Sequence, residues 1–169
     1  MKMIISYSKH IFRDIEKTLL FRTLARSRKG KDNAFDRLLK KRFHAKLESS
    51  QLFKLFHIIP ISMSSHPLIA MLLEGGEFNF DDGRNTLMLP LDYKLANRMG
   101  ISVYSDDPIA GYMDGLTGKL YEIWNSPAAA AARAGDISAR EEVCEGTYQL
   151  AGIMRIGLIN GDLLADYRQ

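Results

Sequence analysis

Residues 55–90 read LFHIIPISMSSHPLIAMLLEGGEFNFDDGRNTLMLP, and the reading of this stretch decides the fold. It opens inside a short apolar run, KLFHIIPI (residues 54–61), that carries one histidine and is expected to stop at Pro60. Such a run is expected to be extended, because proline lacks the amide proton that a strand ladder needs. HPLIAMLLEGG reads as one or two helical turns closed by Gly75 and Gly76. FNFDDGRN is dense in turn formers and predicts a loop. TLMLP, again ended by proline, predicts a second extended piece. His57 lies in the first extended piece and Asn85 just before the second. Taken alone, His57 has two readings, a hydrogen-bonded core histidine or a chemical group.

Working outward, LDYKLANRMG predicts a helix with Gly100 just past its end. SPAAAAARAGD places Ser126 at a helix N-cap, Pro127 at the first helical position and Gly135 as the stop. SARE, Ser138 to Glu141, reads as a capping box that opens a last helix. That helix carries Val143, Leu150, Met154 and Leu158 on one side and stops near Gly161. Upstream, Ile11, Phe12, Ile15 and Leu19 recur at helical spacing, so residues 9–26 read as an amphipathic helix. AFDRLLKKRF gives a second short helix after the break at SRKGKDN.

Composition narrows the class. The 169 residues suffice for one compact domain, and a 46% apolar share with 25% charged residues is that of a globular protein. Cys144 is a lone cysteine, so neither an intrachain disulfide nor a CxxC metal site is available. No apolar run approaches the roughly 18 residues that span a bilayer, so no membrane partner is expected. The start, MKMIISYSKH, is too short in its apolar part for a secretory signal. The expected location is cytoplasmic, or outside the cell by export without a cleaved signal peptide.

The net charge of +3 conceals an asymmetry. Through Lys54 there are 15 Lys or Arg against 5 Asp or Glu; from Leu55 onward there are 8 against 15. The densest patches are ARSRKGK, with Arg28, Lys29 and Lys31, and RLLKKRFHAK, with Lys40, Lys41 and Arg42. A basic third of this kind is the electrostatic footprint of a nucleic-acid binder. The competing reading is a solvated helix surface facing the acidic remainder of the chain. Little aromatic interleaving accompanies the patches, which does not favour a single-strand binder.

A strand-borne histidine, a loop asparagine, a second strand and a following helix resemble the ββα-metal element of the HNH and endonuclease VII nucleases. At finer grain the chain resembles the AHH family of that superfamily, found in bacterial toxins and effectors. The family pattern runs His-His-Ile-Ile-Pro, His-Pro-Leu, Gly-Phe-Asp-Ile-Asn-Asp and Asn-Gly-Ile-Phe-Leu-Pro. It continues through a short helix, a His-x-Gly-x-His loop, and a Tyr before a final helix. Here the matching strings are FHIIP, HPLI, EFNFDDGRNTLMLP, KLANRMG, YSDDPIAGY and GKLYEI, between about Lys54 and Ile123.

The resemblance implies a mostly helical α+β fold, a single domain around an HNH/endonuclease VII-like ββα element at 54–125. A basic helical segment, 1–53, would precede it, and C-terminal helices, 126–169, would pack on it. It implies a toxin or effector nuclease acting on DNA, with a divalent metal such as Mg²⁺ as cofactor and a cognate immunity protein as a candidate partner. Position by position, His57 matches the general base and Asn85 the residue that braces its loop. The first-ligand position is Phe56, which has no lone pair to give, and VYSDDPIAGY contains no histidine. Carboxylates could replace the missing ligands, which nominates Asp106 and Asp107, since oxygen donors suit Mg²⁺ and Mn²⁺. Asp-Asp-Pro is equally an ordinary turn string. The alternatives are a degenerate nuclease fold that binds nucleic acid or a protein without cleaving, and a helical interaction protein.

Overall fold

The computed structural model describes residues 52–166, which fall within one compact unit of the chain. The helices expected at 9–26 and 34–43 lie outside these residues, as do Arg28, Lys29, Lys31, Lys40, Lys41 and Arg42. The described part is mixed α+β and mostly helical. Strand β1 (Phe53–His57) is followed by a 3-10 turn (Ile61–Ser65), helix α1 (Pro67–Glu74) and strand β2 (Thr86–Pro90). Helices α2 (Tyr93–Met99), α3 (Ala110–Trp124), α4 (Pro127–Arg133) and α5 (Ile137–Asn160) complete it. No described helix is long and apolar enough to cross a membrane.

The two extended pieces pair antiparallel, with Phe53 opposite Pro90, Phe56 opposite Leu87 and His57 opposite Thr86. All five residues of β2 are buried, which fits an unbroken apolar run from Leu87 to Pro90 rather than an alternating one. Helix α1 starts as its residues dictate: Pro67 fits the first helical position, and the His66 ring accepts from the Leu68 amide at 3.3 Å. At α2, Asp92 accepts from the Leu95 amide at 2.8 Å, and Gly100 ends the helix in the left-handed region with φ 65°. Ser126 caps α4 through the Ala129 amide at 3.1 Å.

The capping box at SARE is not formed. Helix α5 begins two residues earlier than that box requires, and its N-cap is Asp136, which accepts from the Ala139 amide at 3.1 Å. The carboxylate wins because Gly135, at φ 97°, turns the chain just before it, so Ser138 is already inside the first helical turn.

The core is continuous from the sheet to the last helix. Ile58, Ile59, Leu68, Ile69, Leu72, Leu89, Leu116, Leu120 and Leu158 are all essentially inaccessible to water. Each such side chain contributes about 1.5–3 kcal/mol relative to an exposed one. Val143, Met154 and Leu158 face this core as their spacing predicts, with Leu150 at its margin. Ala129, Ala132 and Ala151 permit the close approach of helices in the C-terminal half.

Candidate functional site

Just after His57 the sheet ends, and the next two residues, Ile58 and Ile59, are fully buried. Their four backbone polar groups must find partners outside the ladder, since burying one unpaired is costly. Asn85 meets three of the four. Its carbonyl oxygen accepts from the Ile58 amide at 2.8 Å, its Oδ1 accepts from the Ile59 amide at 2.8 Å, and its Nδ2 donates to the Ile59 carbonyl at 3.0 Å. The Tyr112 hydroxyl on α3 donates to the fourth, the Ile58 carbonyl, at 2.6 Å. Burial pushes the Tyr112 phenol well above its ordinary pKa, so it remains a donor. Asn85 is 0% exposed, and its Nδ2 also donates to the Phe80 carbonyl at 3.0 Å. His57 and Asn85 therefore belong to one small unit, with the asparagine fixing the backbone that follows the histidine.

The His57 side chain is 22% exposed, and its Nε2 lies 2.9 Å from Oδ1 of Asp81, whose side chain is 78% exposed. Asp81 has no motif of its own in the sequence. Its one signal is position, in the same turn-rich loop and four residues before Asn85. The neighbouring Asp82 faces elsewhere: both its oxygens bind the Arg84 guanidinium, at 3.1 Å (Oδ1 to Nε) and 2.9 Å (Oδ2 to Nη2). Those hydrogen bonds hold the Asp82 carboxyl below its usual range and outweigh its partial burial. Arg84 also lies 3.6 Å over the Tyr148 ring, and Arg155 of α5 donates to the carbonyls of Gly83 and Thr86 at 2.6 and 2.9 Å. Arg155 and Tyr148 tie the loop to α5.

On the opposite face of β1 the chemistry changes, because successive strand residues point to opposite sides. Phe56 is 3% exposed and meets Tyr104 and Tyr112 edge-on, with ring centroids 6.2 and 5.9 Å away. Lys54, on the same face, sits 4.7 Å from the centroid of the Tyr104 ring. Asp106 is drawn to this side, where its Oδ1 accepts from Lys54 at 2.7 Å and from the Tyr104 hydroxyl at 2.5 Å. The Lys54 ammonium first, then the Tyr104 hydroxyl, hold the Asp106 carboxyl below its ordinary range. Asp107 is exposed, and its carbonyl accepts from Ser105. The carboxylate brought to His57 is thus Asp81, while Asp106 is engaged by Lys54 on the other face of the strand.

These residues do not fit a divalent ion at the position that the resemblance implies. The first-ligand position is a phenyl ring packed between two tyrosines, and the nominated carboxylate there is already neutralised by an ammonium. Among the described residues no three His, Cys, Asp or Glu side chains gather at one point. No family model, curated protein or solved structure matches the chain.

Proposed function

We propose that this chain carries an AHH-type, HNH/endonuclease VII-like nuclease domain of the kind found in bacterial toxins and effectors. Its ligand is DNA, and its metal-assisted cleavage is impaired. The observation that supports this reading is the Asn85 brace: one buried side chain holds both backbone groups of Ile59, two residues after His57. In such a site His57 is the general base that takes a proton from water, and Asn85 aims it. The impairment is read from the motif: Phe56 stands at the first-ligand position and VYSDDPIAGY has no histidine, so the ligands for an ion that would counter charge on a scissile phosphate are missing from it.

A second reading, a non-catalytic module that binds nucleic acid or a protein, draws on the packing of Phe56 against Tyr104 and Tyr112. Binding of the full chain to duplex DNA, with no divalent ion present, tests the DNA part common to both. Salt-sensitive binding is expected, because Lys and Arg that neutralise phosphates release counterions. Absence of binding at low salt would overturn DNA as the ligand. Titration with Ni²⁺ or Mg²⁺ tests the impairment, and tight stoichiometric binding would contradict it.

A further inference from the structure

We propose that Asp81 is a positioning residue for His57, holding the neutral imidazole with its proton on Nε2 and its lone pair on Nδ1. A carboxylate only accepts hydrogen bonds, so the ring nitrogen 2.9 Å from Asp81 Oδ1 must be the one that donates. The proton on one imidazole nitrogen fixes the lone pair on the other. Nδ1 is then the atom left to accept a proton. Use of that lone pair in cleavage rests on the nuclease reading; the proton placement does not.

The pairing is built into the backbone rather than left to two flexible side chains. Asn85 Nδ2 donates to the carbonyl of Ile59, two residues after His57, and to that of Phe80, the residue before Asp81. One buried amide thus ties the histidine's segment to the aspartate's. The Asp81 amide donates to Asn79 Oδ1 at 3.0 Å, and the Asn79 amide donates to the Tyr148 hydroxyl at 3.0 Å. Arg84 draws Asp82 away, so the two adjacent carboxylates have separate partners.

The test is long-range proton–nitrogen correlation NMR on the ¹⁵N-labelled full chain, above the usual histidine titration range. A His57→Gln variant identifies the ring signals. The wild type should show limiting shifts, with Nε2 protonated and Nδ1 unprotonated. Asp81→Ala should move both nitrogens towards the averaged values of a mixed, exchanging imidazole while the amide spectrum keeps its dispersion. Asp81→Asn, whose amide oxygen can still accept, should restore the limiting shifts. Averaged shifts in the wild type, no change in Asp81→Ala, or no restoration in Asp81→Asn would overturn the proposal. Because the measurement uses no substrate, its outcome is independent of whether the chain cleaves DNA.

Discussion

At the level of single residues, Asn85 braces the backbone after His57, and Asp81 meets the His57 ring. His57 and Asn85 lie in the strings FHIIP and NTLMLP, whose apolar runs mark the two strands. Asp81 stands beside a second aspartate in a loop, and nothing in FNFDDGRN says which carboxylate faces back to the strand. Tyr112 was equally silent, since a hydroxyl seeking a carbonyl 54 residues away leaves no local pattern. Removing the Asn85 side chain leaves the Ile59 amide, the Ile59 carbonyl and the Phe80 carbonyl without this partner. Asn85→Ala should therefore cost about 3 kcal/mol or more in urea unfolding, at about 1–3 kcal/mol per buried unsatisfied group. A loss under about 0.5 kcal/mol, the range of an ordinary surface change, would show that Asn85 is no brace. His66 gives a pH dependence. It is 7% exposed, and burial lowers its pKa. The folded state thus binds this proton less readily than the unfolded chain. Its contribution to stability is full above the unfolded value of about 6.5. It is lost as pH falls from there through the lower folded value. Asparagine can cap the helix without titrating, so His66→Asn should flatten the fall in urea midpoint between pH 8 and 5. An unchanged slope would contradict that role.

At the level of elements, every piece expected within the described residues is present, because each is announced by a local stop or start. Pro90 closes β2, whereas β1 stops at His57 short of the expected stop at Pro60; Pro67 and Pro127 open helices, and Gly100, Gly135 and Gly161 follow the ends of three of them. The one misplaced start, at SARE, arose because two cap signals lie two residues apart. Spacing favours a serine followed by a glutamate, but the turn at Gly135 delivers Asp136 to the helix end first. The left-handed glycines differ in surroundings, which makes them separable. A Cβ at Gly135 would meet nothing within 4 Å, whereas one at Gly161 would stand 2.8 Å from the Gly100 carbonyl oxygen. Each change to alanine should lose about 1–2 kcal/mol from forcing a left-handed conformation. Gly161→Ala should lose more, through that collision. Thermal unfolding should rank wild type above Gly135→Ala and Gly135→Ala above Gly161→Ala. The reverse order of the two variants would show that α5 does not end against Gly100.

At the level of the whole molecule, charge distribution and site chemistry point to different degrees of function. The basic third of the chain is a reason to expect phosphate binding, whereas the aromatic packing of Phe56 is a reason to expect little cleavage. Reversing Lys29, Lys31, Lys40 and Lys41 together should flatten the salt dependence of duplex DNA binding, since each phosphate contact contributes about 0.9 to the logarithmic slope. An unchanged slope would place the contacts elsewhere. On the nuclease reading, Phe56 already speaks against a first metal ligand in the sequence. The cluster of Lys54, Tyr104 and Asp106 leaves no such signal, because these residues converge only in three dimensions. On the nuclease reading, Phe56→His should not raise cleavage, since VYSDDPIAGY still contains no histidine. The most direct measurement is nicking of supercoiled plasmid by the full chain with Mg²⁺, Mn²⁺ and a chelator, beside His57→Ala. Weak or absent nicking is the predicted result, with any residual activity lost in His57→Ala. Robust, chelator-sensitive nicking would contradict the impairment, and nicking that survived His57→Ala would contradict the assignment of the base as well.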